Sequence, residues 1–436
     1  MADLKEHAKQ IFQQALAAID IPATIARKLN RTGSQIQCAG QTIDLGAFDK
    51  IVVISVGKAG YATARGLLDA LAPDYTATGL LSAPTAPPDE LPGFQIFLSG
   101  HPVPNPDSLA AGRAALELVR GCDERSLIFF MLSGGGSALM EAPLYDDVTL
   151  EDVQALNRTL VTCGAPIDEI NAVRKHLSAV KGGRLAAAAP AATKITFGVS
   201  DVPEGRESAL ASGPTLPDPT TAEMAYGVVE RYRILDKLPE PIRKRIAARQ
   251  LEETPKAGDP AFGRAHFELL LGVHDLFGAA RTAAEANGFV AVCDNKTDDW
   301  PLAKSADHLL KQLAQLKRQH PESRVCVIAD GEVSSPVTGD GVGGRNLAFV
   351  LNCVEKIAGR QVAVLSAGTD GVDGNSPAAG AVADGQSHGR AIMSELHPDD
   401  FFRRSDAYTF FRMLDDAIET GPTGNNLRDL RILLAE

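Results

Sequence analysis

Residues 127–140, LIFFMLSGGGSALM, indicate the fold of this chain more directly than any other stretch. The apolar run Leu127–Leu132 has no polar interruption, which is typical of a strand buried on both faces of a parallel sheet. A glycine-rich turn, Ser133–Ser137, follows at once and leads into helix-forming residues. Three successive glycines let backbone N–H groups converge, and a helix N-terminus adds the positive end of its dipole. The stretch therefore predicts a phosphate or carboxylate site, with a plain tight turn as the alternative.

Short apolar runs alternate with helical patterns through most of the chain, as expected for an α/β protein with mainly parallel sheets. The other predicted strands are Ile51–Val56, Gln95–Leu98, Lys194–Val199, Phe289–Cys293, Val325–Ala329 and Val362–Ser366. Ligands of such sheets bind outside the carboxyl ends of the strands. We therefore expect a functional site among the loops that follow these runs, where many of the 40 glycines lie.

One segment interrupts the alternation of strands and helices. Residues 236–263 contain four prolines and many charged residues, without a strand pattern. The chain of 436 residues is long enough for two or three domains at roughly 100–200 residues each. We predict a large domain over residues 1–240, a connector over 241–265 and a smaller α/β domain over 266–436. The final residues could also pack back on the first domain.

The composition argues against several classes of protein. The chain has 43 basic and 55 acidic side chains, a net charge of −12 and no dense basic run, so no nucleic-acid partner is expected. Its six cysteines form no Cys-x-x-Cys pair, so a zinc ribbon has no support. No apolar run approaches the roughly 18 residues of a membrane span, and a signal-peptide pattern is missing. We expect a soluble cytoplasmic protein, monomeric or homodimeric.

Two cations lie in glycine-rich loops that follow predicted strands. Lys58 stands in the turn 55–60, and Arg345 follows five glycines at the start of an amphipathic helix. The turn 55–60 matches neither the dinucleotide fingerprint nor the P-loop. A cation at the end of a strand and flanked by glycines can still reach a bound anion. The alternatives are a surface lysine and an arginine with a local partner.

Carboxylates follow two other predicted strands. Asp370 and Asp373 alternate with glycines, an arrangement of hard oxygen ligands that suits a divalent cation. Asp201 is a candidate Mg²⁺ ligand or base. Asx turns are the alternative role for Asp370 and Asp373, and a helix or turn cap is the alternative for Asp201. For His101 and His176 a structural histidine is the preferred interpretation, with a substrate contact as the alternative for His101.

Together these loops supply backbone amides, two cations and several carboxylates, which is what phosphoryl transfer requires of a protein. Hydride transfer is disfavoured, because no Gly-x-Gly-x-x-Gly follows a strand with an acid about 20 residues on. The residues alone thus predict an α/β enzyme that handles phosphate, and they leave its substrate open.

Nine segments carry a resemblance that spans nearly the whole chain. They are VGKAG at 56–60, SGHPVPNPDS at 99–108, LSGGGSAL at 132–139, NAVRKHLSAVKGGRLA at 171–186, SDVPEG at 200–205, ASGPT at 211–215, DGEVSSPVTGDGVGGRNLAF at 330–349, SAGTDGVDGNS at 366–376 and TGPTGNNLRDL at 420–430. In order and spacing they resemble the glycerate 2-kinase family, also called class II glycerate kinases.

The resemblance implies a large Rossmann-like domain with a parallel sheet and a smaller α/β domain of the MOFRL type, with the active site in the cleft between them. It implies transfer of the ATP γ-phosphoryl group to the 2-hydroxyl of D-glycerate, with Mg²⁺, to give 2-phosphoglycerate. Lys58 and Arg345 match the two cations regarded as catalytic in the family. Asp201 matches a carboxylate near the metal and the phosphates, and we count it as both a catalytic residue and a metal ligand.

The remaining site residues are assigned by type of ligand. We predict nucleotide contacts by Gly57, Ser133, Gly134, Gly135, Gly136 and Ser137, substrate contacts by His101, Arg174, Lys175 and Glu332, and metal ligation by Asp201, Asp370 and Asp373. The last segment departs from the family pattern at Asn425 and Arg428, which we expect to concern the rim of the site at most.

Two other functions are weighed against the kinase. Members of the family often carry the name hydroxypyruvate reductase, so an NAD(P)H-dependent reductase is the second candidate. A non-catalytic sensor of sugar acids or nucleotides is the third. Retention of both Lys58 and Arg345 argues against the sensor, because binding alone would tolerate the loss of either.

Overall fold

The computed structural model describes residues 4–200, 202, 205–424 and 427–436 of the chain. These residues form two compact units. The N-terminal unit comprises Ile21–Gly272, and the C-terminal unit combines Met1–Asp20 with Val273–Glu436. Among the described helices, none has the length and apolar character required to cross a membrane.

The N-terminal unit is built on a six-stranded sheet in which neighbouring strands are parallel. Its strands are β3 (Lys50–Val56), β4 (Thr78–Ala83), β5 (Phe94–Leu98), β6 (Ser126–Leu132), β7 (Thr193–Val199) and β8 (Ala265–Leu271), in the spatial order β5-β4-β3-β6-β7-β8. A separate hairpin consists of β1 (Gln35–Cys38) and β2 (Gln41–Asp44). β6 and β7 are buried along their whole length, as the apolar run 127–132 predicts.

The helices of this unit are α2 (Ile21–Leu29), α3 (Gly60–Leu71), α4 (Pro106–Arg120), α5 (Gly136–Leu139), α6 (Leu150–Thr162), α7 (Ile167–Lys175), α8 (Arg184–Ala187), α9 (Ala222–Arg231) and α10 (Glu240–Ala247). One apolar core lies between α4 and the sheet face that carries Val52, Ile54 and Val56. A second apolar cluster joins α6, α7, α9 and α10. α4 is capped by Asn105, whose side chain accepts a hydrogen bond from the backbone N–H of Ser108.

The C-terminal unit contains a mixed sheet of six strands: β9 (Phe289–Cys293), β10 (Arg324–Asp330), β11 (Val362–Gly368), β12 (Gly380–Asp384), β13 (Ala417–Ile418) and β14 (Asp429–Ala435). Its helices are α1 (Leu4–Ala18), α11 (Val273–Ala286), α12 (Leu302–Gln319), α13 (Arg345–Val354), α14 (Ser387–Met393), α15 (Pro398–Arg403) and α16 (Ala407–Met413). β14 lies antiparallel between β10 and β11. The expectation of mainly parallel sheets thus holds for the N-terminal unit and is wrong here, because the final residues return through the middle of this sheet.

Residues 4–20 belong to the C-terminal unit and not, as predicted, to the first domain. α1 buries Ile11 and Phe12 and packs against α11 and the strands β11, β12 and β14. Lys5 of α1 is buried and its Nζ donates a hydrogen bond to Asp416 Oδ1 at 2.8 Å. Because helical spacing shows only that α1 has an apolar face, the sequence pattern did not indicate which unit covers that face.

Residues 241–265 are part of the N-terminal unit and do not form a connector. They contain most of α10, whose Ile242 and Ile246 are buried in the second apolar cluster. They end at the first residue of β8, which pairs with β7. Pro239 and Pro241 lie at the start of α10, where proline is compatible with a helix, and Pro260 begins a short 3-10 helix, Pro260–Phe262.

Candidate active site

The turns that follow β3 and β6 interlock at the carboxyl edge of the N-terminal sheet, because the two strands are adjacent and parallel. The backbone N–H of Lys58 donates to the carbonyl oxygen of Gly134 at 3.0 Å. The backbone N–H of Ala59 donates to Ser133 Oγ, also at 3.0 Å. The segment Ser133–Ser137, which we call the phosphate loop, therefore lies directly against the turn that carries Lys58.

Gly57 makes this close approach possible. Its φ is +129°, and a Cβ added to it would lie 2.0 Å from Ser133 Oγ and 2.7 Å from the Ser133 carbonyl oxygen. Glycine alone has both the backbone freedom and the small size that this position requires. Gly57, predicted as a nucleotide contact, thus has a structural reason to be glycine, since it holds the two turns together.

The phosphate loop presents backbone donors at its start. Gly135 has a φ of +83°, and the N–H groups of Gly134 and Gly135 have no hydrogen-bond acceptor in the described part of the chain. Successive N–H groups around a left-handed residue form a concave site for anions. α5 has only four residues, so these N–H groups, rather than the predicted helix dipole, are the feature that can bind an anion.

His101 lies at the phosphate loop, as a contact to substrate would require. It is exposed, and its Cδ2 lies 3.0 Å from the position that a Cβ on Gly135 would take. The structure thus brings Lys58, the phosphate loop and His101 together in one unit.

A chain of hydrogen bonds joins the phosphate loop to the segment 211–215. Ser137 Oγ lies 2.7 Å from Ser212 Oγ, which donates to Asn171 Oδ1 at 3.2 Å. Ser212 and Asn171 are buried. Neither residue was predicted as part of the site, and only their places in the segments 171–186 and 211–215 point to them.

Arg174 and Lys175 are neighbours on α7 with different surroundings. Arg174 is partly exposed, its Nε donates to Asn157 Oδ1 at 2.7 Å, and burial lowers the pKa of its guanidinium. Lys175 is buried, and its Nζ donates to Asp218 Oδ1 at 2.9 Å. Because its ammonium is engaged by a buried carboxylate, the structure gives Lys175 a structural role in place of the predicted substrate contact.

Arg345, at the start of α13, lies between two carboxylates of the C-terminal unit. Its Nε donates to Asp429 Oδ2 at 2.6 Å, and its two terminal nitrogens each lie 2.6 Å from an oxygen of Glu332. Burial by itself would lower the pKa of Arg345, but Asp429 and Glu332 raise it above its ordinary value. The guanidinium is therefore charged and fixed in orientation, with 35% of the side chain still exposed.

A buried arginine stabilises the turn 330–332, which carries Glu332, through hydrogen bonds to its backbone. Arg431 is fully buried, and its guanidinium donates to the carbonyl oxygens of Asp330 at 3.1 Å and Gly331 at 2.7 Å. Asp298 lies against the same turn, since its Oδ1 accepts a hydrogen bond from the backbone N–H of Glu332 at 2.9 Å. Neither Arg431 nor Asp298 was predicted, because no local motif marks a residue whose role is to support a distant turn.

Arg428 also belongs to this group and corrects an expectation. Its side chain is only 12% exposed and pairs with Asp298, while its Nη1 lies 3.7 Å from Asp330 Oδ2. The departure from the family pattern at this position thus lies inside the Arg345 region and not at its rim. Asn425, the other departure, lies outside the described residues.

Asp373 does not have the surroundings of a metal ligand. It is buried, and its carboxylate accepts hydrogen bonds from the backbone N–H groups of Asn346 at 3.1 Å and Leu347 at 2.8 Å. Burial raises the pKa of Asp373 to about 7. The carboxylate therefore caps the N-terminus of α13, which is neither the predicted metal ligation nor the Asx turn that the sequence left open.

Asp370, another predicted metal ligand, has a hydrogen-bond partner in its own turn. Asp370 Oδ1 accepts a hydrogen bond from the backbone N–H of Val372 at 3.2 Å, as in an Asx turn. Asp201 lies outside the described residues. Within the ranges that the structure describes, no three His, Cys, Asp or Glu side chains are placed to hold a metal ion together.

A Gly-x-Ser-x-Gly sequence at residues 385–389 follows β12 and leads into α14. In α/β-hydrolases such a turn exposes the serine Oγ as a nucleophile. Here Ser387 is fully buried, and its Oγ donates to Asp384 Oδ1 at 3.0 Å. The serine is a local hydrogen-bond partner at the start of the helix, so this turn is not a nucleophile elbow.

Comparison with known proteins identifies related sequences along the whole chain. The family described as Domain of unknown function (DUF4147) matches residues 7–247, and the MOFRL family matches residues 325–429. A D-glycerate 2-kinase of Thermotoga maritima is 33% identical over 387 residues, which cover 88% of this chain and 90% of the relative. A glycerate 2-kinase of Pyrococcus horikoshii is 30% identical over 439 residues, with coverages of 99% and 97%.

A solved structure and a differently named relative complete the comparison. The crystal structure of a glycerate kinase from Thermotoga maritima superimposes with a TM-score of 0.84 at 31% identity and covers 99% of each chain. An Agrobacterium vitis protein, 34% identical over 88% of this chain and 87% of its own, carries the name hydroxypyruvate reductase provisionally. The position of the site in a cleft, which the resemblance implied, stays a prediction. The matches to both family descriptions and to named glycerate 2-kinases mean that this chain belongs to the glycerate 2-kinase family.

Proposed function

We propose that this protein is a glycerate kinase that transfers the γ-phosphoryl group of ATP to the 2-hydroxyl of D-glycerate and releases 2-phosphoglycerate. The observation that carries the proposal is the packing of the Lys58 turn against the phosphate loop. It occurs in a chain whose relatives, over 88% to 99% of its length, are named glycerate 2-kinases. The transfer forms a bond between the substrate oxygen and the γ-phosphorus and breaks the bond to the bridging oxygen of ADP.

In the N-terminal unit, backbone and side-chain donors would hold the phosphates. The N–H groups of Gly134 and Gly135 are available to phosphate oxygens, which are strong acceptors. The Lys58 turn is bonded to the same loop, so its ammonium would offset the negative charge of the nucleotide. Asp201, in the matched segment 200–205, is our candidate for the base that takes the proton from the substrate hydroxyl.

In the C-terminal unit, Arg345 would stabilise the charge on the transferred group or on the glycerate carboxylate. Its partner Asp429 is buried, whereas the side chain of Glu332 is 50% exposed. Asp429 and Glu332 keep the guanidinium oriented, and the 35% of the Arg345 side chain that is exposed stays open to an incoming anion. The positive charge is thus already oriented before the substrate arrives, which is how such groups lower a barrier.

A kinase requires a nucleotide as phosphoryl donor, and we propose ATP with Mg²⁺ in the cytoplasm. Mg²⁺ usually keeps several waters and binds through phosphates with one or two carboxylates. We therefore propose that it enters with the nucleotide as part of the substrate. Asp201 and Asp370 remain the candidate protein ligands, while the capping role of Asp373 does not fit one.

A pair of coupled assays tests the kinase against the reductase. We expect ADP release that depends on D-glycerate, and no oxidation of NADH or NADPH with hydroxypyruvate. The Lys58→Met variant serves as the matched control for contaminating kinases, and its turnover should fall roughly hundredfold with an unchanged melting temperature. Oxidation of the nicotinamide cofactor, without ADP release that depends on glycerate, would show that the proposal is wrong.

A further inference from the structure

Contacts lead from Arg428 to both carboxylates that hold Arg345. The guanidinium of Arg428 binds Asp298, which accepts a hydrogen bond from the backbone N–H of Glu332 at 2.9 Å. Asp429 directly follows Arg428 in the chain and accepts the hydrogen bond from Arg345 Nε at 2.6 Å. Arg428 is therefore connected to Arg345 through the carboxylate pair without touching it.

The turn 330–332 leaves little room for Asp298 to move. Gly331 has a φ of +91°, and a Cβ added to it would lie 2.5 Å from Asp298 Oδ1. Arg431 also holds the turn, through the carbonyl oxygens of Asp330 and Gly331. Both Asp298 and Arg431 thus hold the turn, and Arg428 is the cation that pairs with Asp298.

The charges in this group also depend on Arg428. Asp330 is 1% exposed, and neither of its carboxylate oxygens has a hydrogen-bond partner among the described residues. Arg428 Nη1, at 3.7 Å from Asp330 Oδ2, supplies positive charge to it. Burial raises the pKa of Asp330 to about 6, and Arg428 opposes that rise. Without Arg428, Asp298 and Asp330 would each lose a cationic partner. This loss is unfavourable above all for Asp330, because its carboxylate is buried.

We propose that Arg428 is a positioning residue for phosphoryl transfer. By holding Asp298 against the turn 330–332, it fixes the backbone of Glu332 and so the orientation of the Arg345 guanidinium. This inference rests on the proposed function, because it assigns Arg345 to the reacting anion. A displacement of a catalytic group by about 1 Å can cost roughly hundredfold in rate, so a change in the support of Arg345 should be measurable.

The test removes Arg428 in two backgrounds. In the otherwise unchanged protein, Arg428→Met should lower kcat by about tenfold to hundredfold and change the KM values for ATP and D-glycerate less than about threefold. In the Arg345→Ala background, the same change should lower kcat less than about twofold, since no guanidinium is left to position. Arg428→Lys should recover part of the kcat that Arg428→Met loses, because lysine keeps the positive charge but lacks the planar guanidinium.

Two further variants keep the test decisive. If Arg428→Met does not fold, the double variant Arg428→Met/Asp298→Asn removes the charge on both partners and should fold with a similarly lowered kcat. Arg324→Met is the matched control, because Arg324 pairs with Glu436 at 3.0 Å at the other end of β10, and it should keep the kcat of the unchanged protein.

Three results would overturn the positioning role. They are an unchanged kcat in Arg428→Met, an equal fold-loss in both backgrounds, and a double variant with Asp298→Asn that folds with full kcat. Absence of ADP release that depends on D-glycerate in the unchanged protein would instead contradict the proposed function itself, so the two failures are distinguishable.

Discussion

Replacing Arg345 with alanine is expected to lower kcat for the phosphorylation of D-glycerate by roughly a hundredfold to a thousandfold. The physical reason is the loss of a preoriented cation beside the charge that develops on the transferred group, since removal of one preorganised donor costs about this much in other enzymes. Steady-state kinetics at saturating ATP and D-glycerate measure the change. A kcat within about threefold of the unchanged protein would remove Arg345 from the reaction.

Loss of stability is the alternative cause that the Arg345 experiment has to separate. The Asp429 side chain is only 6% exposed, so the alanine variant leaves a buried carboxylate with a weaker partner, Arg431 at 4.0 Å. The double variant Arg345→Ala/Asp429→Asn removes that charge and should regain melting temperature without regaining kcat. Arg345→Lys keeps a positive charge but loses the planar guanidinium that binds two oxygens at once. Its kcat should therefore lie between those of the unchanged protein and Arg345→Ala.

Replacing Gly57 with alanine is expected to reduce both activity and stability. The added Cβ would lie 2.0 Å from Ser133 Oγ and 2.7 Å from the Ser133 carbonyl oxygen, and the φ of +129° is unfavourable for alanine. Because the phosphate loop must then move away, kcat/KM for ATP should fall by about a hundredfold. The free energy of unfolding should fall by roughly 1–3 kcal/mol, as denaturant titration would measure.

Gly227 offers a matched control for this substitution. It lies within α9, and a Cβ added to it would meet nothing within 4 Å. Gly227→Ala should therefore leave kcat/KM unchanged and raise the free energy of unfolding by about 0.5–1 kcal/mol, since alanine favours a helix. If Gly57→Ala behaves like Gly227→Ala, the close packing of the two turns is not required for activity.

Most of the parallel sheet could be predicted from the sequence, because its strands are continuous apolar runs. β6, for example, extends the predicted strand Leu127–Leu132 by one residue, Ser126. β14 was not predicted, although it lies in the middle of the other sheet. Its buried Arg431 interrupts the apolar run, and the carbonyl oxygens that accept its hydrogen bonds lie about a hundred positions earlier in the chain. A pattern of neighbouring residues cannot show such a partner.

The site was predictable to the extent that its features are local. The turns at Lys58 and at the phosphate loop were found because glycines directly after a strand are visible in the sequence, and adjacent parallel strands end at one edge. Lys175 and Asp373 were assigned to ligands because their own partners are not local. Asp218 lies 43 residues from Lys175, and Asn346 lies 27 residues from Asp373.

The most direct test of the central claim is phosphorus NMR of the product formed from ATP, Mg²⁺ and D-glycerate. A phosphoryl group on the 2-hydroxyl is coupled to the single proton of that carbon, so its signal is split into a doublet. A group on the 3-hydroxyl is coupled to two protons and gives a triplet. We expect a doublet that grows with ADP and is strongly reduced in Arg345→Ala. A triplet, or no new phosphomonoester signal, would contradict that claim.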